Sequence, residues 1–303
     1  MVSILGGKMR TKPLLFPKSI LIETCNLCQG SCLFCPYFKI RKGQKKELLE
    51  YKIIKKLINE MTDYYVERLT LFNNNEPLLD DRIYKIIKFA HKVLPKVEIT
   101  LSTNGRCLTK DKIYQLYKTG LTTLYISIPT LDPIFYNKIM GYEIIKILQV
   151  LDDINDSNIL DMIKIAVPIT KYFKEEEFNN YFNKKNIRIC SWHAEYKENW
   201  GIDEAIKPIV DFNQYIGPCD RPMDQAVILF NGNMVICCRD WHEQNVIGNI
   251  KDNTIYELWK NDKMISIQKK IARQKYDEIE CCRTCSLNFN CYKRMVKKVG
   301  LPE

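Results

Sequence analysis

The sequence predicts an α/β fold: a parallel sheet built from six β/α repeats, followed by a smaller cysteine-rich region. Three observations carry this expectation. Strand-like and helix-like segments alternate six times between Ser19 and Trp192. The rhythm stops after His193, and residues 194–218 read as a linker. Cysteines then return as a spaced set from Cys219 to Cys291. Strands separated by helices imply parallel pairing with right-handed crossovers. Six repeats form an open partial barrel or a doubly wound sheet. In both, ligands sit at the C-terminal ends of the strands.

Each element has a local reason. Residues 19–23 are a short apolar run that ends in a cysteine loop. Residues 47–63 place Leu48, Leu49, Ile53, Ile54, Leu57, Ile58 and Met61 at helical spacing. Strands are expected over 66–72, 97–103, 122–128, 161–167 and 187–192, and helices over 80–93, 109–118, 132–152 and 173–182. Thr109 is set to cap its helix, and Gly141 to interrupt the long one. Beyond the linker, 226–230 and 234–238 flank Asn231-Gly232-Asn233, a strong hairpin pattern. Short helices are expected over 254–259 and 265–273. The polar motifs follow strands one to four, which places them together on one face of the sheet.

Composition narrows the class. The chain has 303 residues with 46% hydrophobic and 27% charged content, enough for a sizeable core. No apolar run approaches the roughly 18 residues of a membrane span. The first sixteen residues, broken by Gly6, Gly7, Lys8, Arg10 and Pro13, lack the centre of a signal peptide. A cytoplasmic protein is expected, and in a reducing compartment thirteen clustered cysteines point to metal or redox chemistry. The net charge of +10 has clusters at 39–46 and 293–298. They read as a solvated surface, a dock for an acidic electron donor such as flavodoxin or ferredoxin, or a site for an anionic substrate. No nucleic-acid recognition motif accompanies them.

Cys25, Cys28, Cys32 and Cys35 lie within eleven residues. A four-thiolate zinc site is one reading. Zinc ribbons, however, separate their two cysteine pairs by many more residues, and a three-residue gap makes one tetrahedral cage cramped. Cys28-x3-Cys32-x2-Cys35, with Phe34 before the last cysteine, resembles the radical S-adenosylmethionine (SAM) superfamily. The resemblance implies that these three thiolates ligate three irons of a 4Fe–4S cluster, that SAM fills the open fourth iron, and that Cys25 is a bystander. It further implies reductive cleavage of SAM to a 5′-deoxyadenosyl radical that abstracts a substrate hydrogen. Gln29 stands where such loops often carry Asn.

The later strand ends extend the resemblance. Asn74-Asn75-Glu76-Pro77 is similar to the Gly-Gly-Glu-Pro element whose backbone and carboxylate hold the SAM ammonium. Ser102-Thr103-Asn104-Gly105 is similar to the Ser-Thr-Asn-Gly element near the SAM ribose. By the same resemblance Ser127 is a ribose-side contact, and Val167 and His193 are adenine-side candidates.

Cys219-x12-Gly232-x4-Cys237 and Cys282-x2-Cys285-x5-Cys291 resemble the SPASM and twitch extensions of the same superfamily. The resemblance implies one auxiliary 4Fe–4S cluster held by Cys219, Cys237, Cys282 and Cys285. Four thiolates saturate such a cluster and suit it to electron transfer. Zinc on the same four thiols is the alternative. The expected fold is therefore a partial (β/α)6 TIM-type barrel over 17–193, a linker over 194–218, and a SPASM/twitch-like domain of hairpin and short helices over 219–303.

Among the remaining thiols, Cys238 and Cys190 are candidate hydrogen-atom donors, against the plainer reading of small buried hydrophobes. Three functions follow. The first is dehydrogenation or epimerisation of a polar small molecule of sugar or aminoglycoside type, favoured by the compact extension and the short stretch ahead of Cys28. The second is a ribosomal-peptide maturase making an epimer or cross-link. The third is a non-catalytic iron–sulfur or zinc protein.

Overall fold

Side chains alternate across a strand, so an apolar residue at every second position commits one face of a sheet to helices. That pattern builds the centre of this protein. The computed structural model describes residues 12–41, 43–170, 172–193, 219, 221–288 and 293; the expected linker 194–218 and Cys291 lie outside them.

The chain runs β1 (Ser19–Ile22), α1 (Tyr37–Arg41), α2 (Tyr51–Glu60), β2 (Arg68–Thr70), α3 (Ile83–Val93), β3 (Glu98–Thr103), α4 (Lys110–Lys118) and β4 (Thr123–Ser127). It continues with α5 (Pro133–Met140), α6 (Ile145–Asp152), α7 (Ser157–Met162), β5 (Ile163–Ile169), α8 (Glu175–Phe182) and β6 (Arg188–His193). Neighbouring strands from β1 to β6 pair in parallel, in sequence order. The order never reverses, so every crossover winds the same way, whereas a doubly wound sheet reverses at a switch point. This decides between the two expected architectures in favour of an open, barrel-type sheet.

The helix-side core contains Ile20, Ile22, Leu69, Ile99, Leu101, Leu124, Ile126 and Ile165. By alternation the opposite face carries Thr70, Thr100, Ser102, Tyr125 and Ser127. Thr70 and Thr100 join hydroxyls there at 3.0 Å. Local sequence features behave as expected. Thr109 caps α4 by accepting from Lys112 N–H at 3.3 Å. Gly141, at φ 77°, is the left-handed residue that ends α5. A side chain there would overlap Ser31 Oγ in the cysteine loop.

The cysteine-rich region extends the same sheet. It adds β7 (Gln225–Ile228), β8 (Asn233–Val235), β9 (Val246–Asn249), α9 (Ile255–Lys260), α10 (Asp262–Ala272) and α11 (Glu280–Arg283). Strand β7 pairs in parallel with β1, with Leu21 opposite Val227, and β8 and β9 follow antiparallel. One nine-stranded sheet thus runs from β6 to β9. Sequence patterning marked the β7–β8 hairpin but neither β9 nor the β1–β7 pairing.

Helices reinforce the join. The Glu60 carboxylate of α2 accepts from the first N–H groups of α9, Ile255 at 3.0 Å and Tyr256 at 2.8 Å, where a helix terminus offers unpaired donors. Trp259 is fully buried, and its indole donates to Leu14 O at 3.0 Å. No helix among the described residues is long and apolar enough to cross a membrane.

Candidate functional site

The loop leaving β1 carries Cys28, Cys32 and Cys35, all partly buried by residue. Burial pushes the Cys28 thiol up to about 12, and the nearby Cys35 and Glu76 charges add to it, against a hydrogen bond from Gly30 N–H. Cys32 and Cys35 are also raised, chiefly by burial; Cys28 and Cys35 charge adds to the Cys32 shift, while Arg41 opposes the Cys35 shift. Three crowded, desolvated thiols of this kind ionise when a metal takes up their charge. Gly30 matters to that space. A Cβ there would stand 3.4 Å from both Cys28 Sγ and Cys32 Sγ, in contact with the two sulfurs.

The strand-end motifs close round this loop. Glu76 is fully buried, and its oxygens accept from Leu78 N–H at 3.1 Å, Thr103 Oγ1 at 2.8 Å and Asn104 N–H at 2.7 Å. Three protein donors hold the two oxygens, so Glu76 ties the β2 and β3 loops together and keeps acceptor capacity for the expected SAM ammonium. Its own N–H donates to Leu27 O at 2.7 Å, which draws in the cysteine loop as well.

Asn75 is fixed by its side chain, which leaves its backbone for the expected SAM contact. Its amide donates to Cys25 Sγ at 3.3 Å and its oxygen accepts from Asn73 N–H, which also accounts for Cys25, wholly buried and outside the thiol group. Asn104 approaches Cys28 Sγ at 4.0 Å through Nδ2. Tyr142 donates its hydroxyl to Asn104 O.

Ser102 and Ser127 are partly buried on the face away from the helices, at the C-terminal ends of their strands. Phe34 packs partly buried against the main core. Val167 can face the site through its backbone alone. Its side chain is fully buried in the helix-side core with Ile165, so only its backbone borders the site. His193 closes β6, and its side chain lies outside the described residues.

Partnerless buried atoms at this site include the amide nitrogens of Asn73 and Asn74 and, in the cysteine loop itself, Gln29 Oε1. An unsatisfied buried polar group costs about 1–3 kcal/mol, so each marks a place for a polar ligand. The carboxylate at the methionyl end of SAM is an acceptor of the kind the two amide nitrogens lack. Together with the three thiols and the space at Gly30, these residues fit a SAM-bound cluster.

Burial raises Glu76 from 4.5 to about 7. The sign follows from linkage: the folded state holds the proton more tightly than the unfolded chain, so stability falls as pH rises from 4.5 through about 7. The loss is about 3 kcal/mol in cluster-free protein. Urea unfolding of the cluster-free parent and of Glu76→Gln across that window should show the parent losing stability relative to the variant. A pH-independent difference refutes the assignment.

A second cleft lies between the β8 turn, α10 and α11, lined by Cys219, Cys237, Cys281, Cys282 and Cys285 with Arg221 and Tyr276. The four expected thiols are gathered here, joined by Cys281, which the sequence reading left unassigned. Among the described residues no three metal-binding groups converge on a single-ion point; the thiols stand along the cleft walls. Tyr276 fixes Cys219 by exchanging hydrogen bonds with its N–H and C=O, both 3.1 Å. Burial raises Cys219 most, Arg221 opposes this, and Cys237 and Cys285 add to it. Asn288 donates to Cys282 O at 3.5 Å and Asp277 Oδ1 at 2.7 Å.

Cys238 sits in a turn beside this cleft and packs against both the main core and the Leu21, Val227, Leu229 and Val235 cluster. Arg221 Nη1 approaches its sulfur at 3.9 Å. Cys190 lies on edge strand β6. The two candidate hydrogen-atom donors are thus at separate places in the sheet.

A family model of the radical SAM superfamily matches residues 22–184, more than half of the chain. The chain belongs to the radical SAM superfamily. A second model, of the SPASM iron–sulfur cluster-binding domain, matches residues 219–286 and assigns iron–sulfur chemistry in place of zinc. The protein is therefore a radical SAM enzyme with a SAM-binding 4Fe–4S cluster and auxiliary cluster chemistry.

The S-adenosyl-L-methionine-dependent 2-deoxy-scyllo-inosamine dehydrogenase of Niallia circulans is 20% identical over 268 residues, 88% of this chain and 92% of that one. BtrN, solved with AdoMet and 2-DOIA, superposes with a TM-score of 0.68 at 18% identity, covering 90% of this chain and 94% of BtrN. The enzyme anSMEcpe, solved with AdoMet and the Cp18Cys peptide, gives a TM-score of 0.62 at 15% identity, covering 92% and 95%. These structural likenesses establish the shared fold.

Proposed function

We propose that this radical SAM enzyme abstracts hydrogen from a polar small molecule of sugar or aminocyclitol type, and dehydrogenates or epimerises it. The observation that carries the reading is the auxiliary cleft with Cys219, Cys237, Cys282 and Cys285 on its walls. It is supported by an alignment spanning nearly the whole of both this chain and an inosamine dehydrogenase.

When bound, the first cluster supplies an electron to SAM, whose cleavage yields the 5′-deoxyadenosyl radical that takes the substrate hydrogen. Cys28, Cys32 and Cys35 would hold that cluster, with Gly30 adding no side chain beside Cys28 and Cys32. Asn74, with its partnerless buried amide, receives the methionyl end of SAM. Ser102 and Ser127 present hydroxyls to the ribose. Cys219, Cys237, Cys282 and Cys285 hold the auxiliary cluster, and Arg221 sets a positive charge beside Cys219 and Cys238. Cys238, beside Cys237 at the auxiliary site, is preferred over Cys190 on the edge strand as hydrogen-atom donor for an epimerisation.

A peptide maturase is the second reading, favoured by the likeness to a peptide-bound anSMEcpe. Anaerobic incubation in deuterium oxide, with SAM, dithionite and separate panels of aminocyclitols and peptides, separates the two. A small-molecule product two hydrogens lighter, or one carrying deuterium at carbon, supports the proposal. Turnover confined to peptides overturns it.

A further inference from the structure

The Glu23 carboxylate and the Arg41 guanidinium form a pair to which the chemistry above gives no role. Glu23 is wholly buried and Arg41 is 6% exposed. Two guanidinium N–H groups engage the two carboxylate oxygens, each at 3.0 Å. Glu23 accepts twice more, from Asn74 N–H at 3.0 Å and from Phe230 N–H at 3.4 Å. The guanidinium lies 4.8 Å from the Phe230 ring centroid and 5.6 Å from that of Trp241.

Five segments therefore meet at one ion pair. Three belong to the first site: the end of β1, the helix leaving Cys35, and the Asn74 loop. Two belong to the second: the β7–β8 turn and the loop just past Cys237 and Cys238.

Stability alone does not account for the pair. Burying two ions costs several kcal/mol each, and apolar side chains of equal volume often stabilise as well or better. What the pair adds is direction. A planar guanidinium matched to a carboxylate, with two more donors fixed by backbone, permits one geometry. Lysine in place of Arg41 keeps the charge but loses both the fork and the stacking on two rings.

We propose that Glu23 and Arg41 are a positioning pair that holds the SAM-cluster loop and the auxiliary-cluster hairpin in one fixed relation. The proposal rests on the two-cluster reading given above. Through Asn74 it acts on SAM, and through Phe230 and Trp241 it acts on the second cluster site.

The test uses reconstituted full-length parent, Arg41→Lys, Arg41→Met and Trp241→Leu, with SAM as the probe. Pulsed electron paramagnetic resonance measures the dipolar coupling between the two reduced clusters, and the spectral change of the first cluster on titration gives SAM affinity. In Arg41→Lys and Arg41→Met, SAM binding should weaken about tenfold, the loss of one charge-assisted hydrogen bond, and the spread of couplings should broaden. Trp241→Leu should broaden the couplings and leave SAM affinity near the parent's. Where Arg41→Met does not fold, the other two variants decide. Parent-like affinity and parent-like couplings in Arg41→Lys overturn the proposal. A parent with about four irons instead of about eight defeats the two-cluster reading, and SAM affinity in Arg41→Lys still decides the pair's hold on the Asn74 loop.

Discussion

Changing Cys32 to alanine is expected to remove about four irons from the reconstituted protein and to abolish SAM cleavage. The reason is local. Cys32 lies between Cys28 and Cys35 in one loop, and the charges of those two thiols are among the causes that raise it. Two thiolates cannot replace three in holding a cluster whose fourth iron must stay free for SAM. Sheet and core should survive, because Cys32 packs only partly buried against the core. Iron and sulfide counting, with chromatography of 5′-deoxyadenosine after dithionite reduction, checks both parts. SAM cleavage at the parent rate would remove the Cys28–Cys32–Cys35 assignment and bring Cys25 back as a ligand.

The second large effect concerns the other cleft. Cys282→Ala is expected to lose about four irons while SAM cleavage continues. Substrate turnover should fall at least about a hundredfold if the auxiliary cluster takes the second electron, since product cannot form without it. Cys281→Ala is the informative partner. Cys281 lines the same cleft, but its side chain is fully buried in the main core and its N–H is held by Asn245 Oδ1 at 2.8 Å. It should keep the parent's iron and lose stability. A full iron complement in Cys282→Ala, with loss in Cys281→Ala, would exchange the two roles.

These expectations separate what is written locally from what is not. The spacing of Cys28, Cys32 and Cys35 is a property of eight consecutive residues, and the Thr109 cap, the Gly141 break and the β7–β8 turn are equally short in range. Val167 shows the limit. Its place toward the end of strand five was legible, but β5 runs on to Ile169, and which face the side chain takes depends on register, since a shift of one residue exchanges the faces. Asn74, Asn75 and Glu76 were recognisable as a motif. Their division of labour, with Glu76 tying loops, Asn75 turned to Cys25 and the Asn74 amide left open, follows from partners far away in the chain.

Arg41 is the clearest case. In the sequence it sits among Lys39, Lys42, Lys45 and Lys46 and reads as part of a basic surface. In the fold it leaves that surface for Glu23, Phe230 and Trp241. No local pattern distinguishes it from its lysine neighbours.

The sequence by itself determined the α/β class, the six repeats, both cysteine sets and the superfamily resemblance. Each of these rests on periodicity or spacing over a few to a few tens of residues. Only the tertiary structure decided that the sheet winds one way, that β7 joins β1, that five cysteines line the second cleft, and that one buried ion pair links the two sites. Those features depend on contacts between residues up to two hundred positions apart, such as Glu23 with Phe230, and such contacts exist only once the chain has closed on itself.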